Sequence, residues 1–176
     1  MQRLLKNSLF LLAASTVLLN SCREDVSFPE IPAIEYKEFV VYTDSAFLEV
    51  DFTDGDGNIG FDAGDTLGQF EYSIDPFNKF HYNFFVDIYQ FENSQWNLYD
   101  LTPSPANPDF QPLYYRTPKL DPEGSDKNLE GSIRVKLAPF PPIDFSSGDT
   151  IRFEIQLADR NLNLSNKVTT DGFIVP

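Results

Sequence analysis

The chain has 176 residues, enough for one domain with a sizeable core, and it carries 27 acidic against 13 basic side chains for a net charge of −14. That balance argues against nucleic acid or an anionic headgroup surface as a partner, since both would be repelled, and favours attraction of cations. One His and one Cys leave no material for a His-based zinc site, a Ser-His-Asp triad or an internal disulfide.

Arg3 and Lys6 precede an apolar run over residues 9–19, interrupted by Ser15 and Thr16, and then Asn20-Ser21-Cys22. A basic head, a short apolar core and small residues read as a secretory signal. The core is too short to cross ~30 Å of hydrocarbon as a mature helix. Leu19-Asn20-Ser21-Cys22 resembles the lipobox of bacterial lipoproteins, with Asn20 standing where a smaller residue is commoner. The resemblance implies cleavage after residue 21 and a lipid on Cys22, which would account for a lone thiol in an exported protein. The alternative is an ordinary signal with an incidental Cys. Loss of residues 1–21 removes two basic residues and leaves 11 against 27, a net charge of −16 on 155 residues. Arg23-Glu24-Asp25 resembles the surface-export tag of Bacteroidota-type lipoproteins, but a plain solvated tether has the same composition. Both the cell surface and the periplasmic face of the outer membrane stay open.

Pro29 and Pro32 mark residues 22–33 as a tether from lipid to domain. From there the pattern is of strands. Residues 36–42 and 47–52 are β-branched or aromatic runs separated by Thr43-Asp44-Ser45. The second run alternates, with Phe47, Glu49 and Asp51 on one side and Leu48, Val50 and Phe52 on the other. Residues 81–91 form the longest predicted strand, and Asn93-Ser94 turns it into a hairpin with residues 95–101. Four prolines make 102–112 a loop. Further strands are expected at 113–116, 131–137, 150–157 and 168–175, and no stretch sustains a capped 3.6-residue apolar period. Seven to nine short strands between turn signals predict an all-β chain, an immunoglobulin- or fibronectin-III-like β-sandwich occupying residues 34–176.

The richest segment chemically is Asp54-Gly55-Asp56-Gly57-Asn58-Ile59-Gly60-Phe61-Asp62, followed by Asp65. Oxygen side chains recur at 54, 56, 58 and 62, and glycines between them let a tight loop aim several oxygens inward. A hard cation such as Ca²⁺ takes six to eight oxygens at about 2.3–2.6 Å. Without one, the repeated carboxylates repel at short range. It is not an EF-hand: counted from Asp54, position 6 is Ile59 rather than Gly and position 12 is Asp65 rather than Glu. The competing reading is a loop tip whose Asp, Asn and Gly serve turn geometry alone.

This loop, with Tyr82-Asn83-Phe84-Phe85-Val86 after it, resembles a group of uncharacterised Bacteroidota-type lipoproteins that carry an Asp-Gly-Asp-Gly-Asp-Ile-Gly loop on an immunoglobulin-like sandwich. The resemblance implies fold and location and brings no activity. Residues 159–166 are similar to the last loop of bacterial immunoglobulin-like or fibronectin-type domains. In such a sandwich the second-to-third and last connections share one end, so Asp159 is expected to approach the acidic loop, with a plain turn as its alternative.

Carboxylates are plentiful but cluster in one loop rather than facing each other across a cleft, so the chain reads as non-catalytic. The leading expectation is an outer-membrane lipoprotein with a calcium loop, used in binding or assembly with another envelope protein. The second is a glycan-binding accessory of polysaccharide uptake. In that case Trp96, Tyr99, Tyr114 and Tyr115 would serve as stacking platforms, although aromatics at alternating strand positions also build cores.

Overall fold

Period-two alternation does most of the folding work. It buries Ala46, Leu48, Val50 and Phe52 along one strand and Ile151, Phe153, Ile155 and Leu157 along another. These strands belong to two antiparallel sheets of an all-β structure, a computed structural model that describes residues 27–121, 127–141 and 145–176. The signal segment, Cys22 and Arg23-Glu24-Asp25 lie outside the described residues.

The smaller sheet runs β1 (Ala33–Val41), β2 (Ala46–Asp54) and β6 (Leu129–Leu137), in the order β1-β2-β6. The larger is built on β3 (Phe84–Glu92), β4 (Gln95–Tyr99), β7 (Thr150–Leu157) and β8 (Val168–Thr169), in the order β4-β3-β7-β8. Short strands β5 (Leu113–Tyr115) and β9 (Phe173–Ile174) extend it by pairing with β3 and β7. Inward side chains of both sheets meet in one core that includes Leu48, Val50, Ile133, Phe84, Ile88, Phe153 and Ile155. Each such side chain contributes about 1.5–3 kcal/mol by leaving water.

Several local departures from the sequence reading have physical causes. The long third strand begins three residues late because Lys79–His81 form a 3-10 turn, capped by Asn78 Oδ1 accepting from Phe80 N at 3.1 Å. The β3–β4 hairpin places Asn93 and Ser94 at φ 52° and 66°, the left-handed pair that suits a two-residue turn between twisted strands. The expected last strand is split into β8 and β9. At the break Thr170 takes over the ladder, its Oγ1 accepting from Phe153 N at 3.0 Å and its N–H donating to Phe153 O at 2.9 Å. Residues 28–32, read as tether, lie against the domain, with Gly55 N donating to Pro29 O at 2.9 Å.

Strand polarity brings four ends together. Ala33 pairs with Thr53 and Phe84 with Leu157, so the start of β1, the end of β2, the start of β3 and the end of β7 gather at one end of the molecule. The acidic loop lies there.

Candidate metal centre

The alternation that builds the core also drives a carboxylate into it. Two residues beyond Phe52, the inward parity of β2 falls on Asp54, which is fully buried. Two residues beyond Leu157, past the end of β7, Asp159 is fully buried as well. Each sheet therefore delivers one carboxylate to the same end of the core. Asp56 joins them, and one oxygen from each of Asp54, Asp56 and Asp159 lies within 4.8 Å of the other two. Oxygens on opposite sides of a calcium ion stand about 5 Å apart, so the spacing fits a shared ion.

The loop is held between two other segments. Ile59, completely buried, forms an antiparallel bridge with Asp159, and Arg160 N donates to Asn58 O at 3.2 Å. On the other side Phe61 N donates to Thr117 O at 2.9 Å, Lys119 N to Phe61 O at 3.1 Å and Leu120 N to Ile59 O at 3.1 Å. Gly60 makes the second contact possible. Its φ is 86°, and a Cβ there would stand 2.0 Å from Pro118 O. Anchored on both flanks, the loop has little freedom to relieve its own charge.

Hydrogen bonds satisfy part of the cluster. Asp54 Oδ2 accepts from Asn58 N at 3.0 Å, and Asp56 Oδ2 from Asn58 Nδ2 at 2.7 Å and Asn161 Nδ2 at 3.2 Å. Asp159 accepts from Asn163 N at 2.7 Å and Asn163 Nδ2 at 2.8 Å. Among the described residues, the buried side-chain polar atoms without a hydrogen-bond partner are Asp54 Oδ1, Asp56 Oδ1, Asn58 Oδ1 and Arg152 Nε, so three of the four belong to this loop. Burial without a partner costs about 1–3 kcal/mol per polar group, more for a charge, and all three orphans are acceptors. A cation placed among them would satisfy all three at once.

The electrostatics agree. Burial, reinforced by Asp56 and Asp159, pushes the Asp54 carboxyl up to about 6. Burial also raises Asp56, with Asp159 and Glu30 adding to the effect. Among the described residues, no Lys or Arg forms an ion pair with Asp54, Asp56 or Asp159.

Asp62 and Asp65, grouped with these residues on spacing, are placed elsewhere. Asp65 forms a two-pronged ion pair with Arg160, through Nη1 and, at 3.1 Å, through Nη2, and this holds its carboxyl below the usual range. Asp62 is exposed and lies 3.6 Å from Arg160 and 3.8 Å from Lys119. Arg116 fixes the turn between them by donating to Asp65 O at 2.8 Å. The acidic stretch thus splits into a charge-balanced half and an unbalanced one. Glu30, Asn161 and Asn163 were not singled out from sequence, although an acid between Pro29 and Pro32 and the Asn-rich 161–166 run were visible signals.

No protein-family model matches this chain, and no curated protein matches it.

The four aromatics considered as a stacking platform do not share a face. Tyr115 turns inward onto Phe84, where burial raises its hydroxyl to about 12. Tyr114, on the outer face, donates to Asp87 Oδ1 at 2.7 Å and packs on Phe85. Tyr99 is opposite the inward Ile88 and contacts Phe145 at 4.8 Å between ring centroids. Trp96 lies on the outer face of the larger sheet, with the Arg152 guanidinium over its ring at 4.5 Å and Gly172 beside it, where a Cβ would meet the ring at 2.9 Å. A separate groove of about 510 Å³ lies between β6 and residues 115–120. Its lining, which includes Arg116, Arg134 and Lys136, contains no carboxylate, His or Cys.

Proposed function

We propose that this chain is a calcium-stabilised, non-catalytic binding or assembly domain, of immunoglobulin- or fibronectin-III-like topology, held at the outer membrane by a lipid on Cys22. The observation that carries the metal reading is that two carboxylates of the Asp54-Asp56-Asp159 cluster, with the neighbouring Asn58, each hold a buried acceptor oxygen without a hydrogen-bond partner, and that no Lys or Arg among the described residues pairs with the cluster. Asp54, Asp56, Asn58 and Asp159 would supply side-chain ligands, with water or backbone carbonyls completing the six to eight that calcium takes. Support for the fold family comes from the strand order, three strands β1-β2-β6 against β4-β3-β7-β8, and from the β2–β3 and β7–β8 connections meeting at one end. The anchor rests on Leu19-Asn20-Ser21-Cys22.

A bound ion stabilises only the folded state, by RT ln(1 + [L]/Kd), or about 2.7 kcal/mol at a hundredfold excess over Kd. Thermal unfolding in millimolar Ca²⁺ and in EDTA tests the reading. A melting temperature several degrees higher with Ca²⁺ supports it, and coincident curves dispose of it. Radiolabelled palmitate incorporated by the wild type and not by Cys22→Ala tests the anchor.

A further inference from the structure

We propose that Glu30 is an additional ligand of the cation, so that the ion fastens residues 28–30, the strap leading to the N-terminal tether, onto the end of the domain. The inference rests on the metal reading above and adds to it a mechanical role for the ion.

The strap is already built into the site. Gly55, between Asp54 and Asp56, donates its N–H to Pro29 O at 2.9 Å. A Cβ on Gly55 would stand 2.1 Å from Phe28 O and 2.7 Å from Pro29 O, so the absence of a side chain lets the two segments touch. Phe28 N donates to Asn128 Oδ1 at 2.9 Å on the strap's other side. Glu30 is next in sequence to the residue bonded to Gly55. It is near enough to Asp56 for its charge to raise the Asp56 carboxyl, and it is exposed.

The buried and unpartnered Asp54 Oδ1 provides the independent sign that an ion belongs here. With three carboxylates and one amide from the loop and its neighbour, the side-chain set falls short of the six oxygens calcium requires. Glu30 lies outside the group formed by Asp54, Asp56 and Asp159, so its side chain would have to turn inward to add a fourth carboxylate from a segment already hydrogen-bonded to the loop. In the ion-free protein the same carboxylate stands close to the charge of Asp56, and the strap is held through Pro29 O and Phe28 N. Calcium reverses the sign of that interaction, and repulsion becomes a clamp.

The test measures calcium affinity by calorimetry, together with amide hydrogen exchange at Phe28 and Gly55, on the full-length mature chain. Wild type, Glu30→Gln and Glu92→Gln are compared; the last removes the same charge at the far end of β3. The expected result is that Glu30→Gln weakens calcium binding about tenfold or more, while Glu92→Gln changes it less than twofold. Calcium should slow exchange at both amides in the wild type and leave it unchanged in Glu30→Gln. Wild-type affinity and protection in Glu30→Gln would overturn the clamp and leave the metal site standing. No calcium binding by the wild type would overturn both.

Discussion

Asp54 is the residue on which the centre turns. Its folded carboxyl titrates near 6, above the ordinary 3.8, so between these values the folded state binds more protons than the unfolded state. Stability in chelator therefore falls as pH rises from about 4 to 6, and above that the whole penalty is present. A rise from 3.8 to about 6 corresponds to about 3 kcal/mol at most. In EDTA the melting temperature should rise as the buffer is taken from pH 7 to pH 5. In saturating calcium that rise should shrink or invert, because protons then compete with the ion. Asp54→Asn separates the two effects. In EDTA it should be more stable than wild type by about 1–3 kcal/mol, since a buried, unpaired charge is gone; in calcium it should lose the ion's contribution. Urea unfolding under both conditions reads the crossover. A variant destabilised equally in both would mean that Asp54 serves only the turn.

At the scale of elements, the strands carrying the site were the most legible. The alternation in residues 47–52 and 150–157 marked the core faces correctly, because a half-buried strand writes its burial directly into period two. The same arithmetic, continued two residues further, points Asp54 inward and foreshadows the buried Asp159. The spacing of Asp54, Asp56 and Asn58 was legible because all three lie in one turn. What could not be read was the fate of Asp62 and Asp65, since their partner Arg160 is 95 residues from Asp65 and arrives only through the packing of two sheets. The strap was hidden for the opposite reason. Two prolines made residues 22–33 look like linker, while the contact that docks Phe28 and Pro29 depends on a glycine at position 55. Gly60 offers a test of this level. Gly60→Ala puts a side chain at positive φ and into the backbone of Pro118, and should cost about 1–3 kcal/mol in urea unfolding. Asn166 offers another. Its side chain accepts from Ile34 N at 2.9 Å and donates to Ile34 O at 2.8 Å, joining β1 to the segment before β8. Asn166→Ala should cost about 1–3 kcal/mol by leaving that pair without partners.

For the whole molecule, the polarity of the strands sets which way the domain faces. The chain enters beside the carboxylate cluster, at the end where β1 begins and β2 and β7 finish. The opposite end carries the turn at residues 43–45 and the Asn93-Ser94 hairpin. Strands of nine residues span about 30 Å at roughly 3.3 Å per residue. The entry of the described chain and the carboxylate cluster thus share one end of the domain, and the two hairpin tips share the other. Cuts or labels placed at residues 43–45 or 93–94 therefore fall a full strand length away from the carboxylate cluster and should leave it intact.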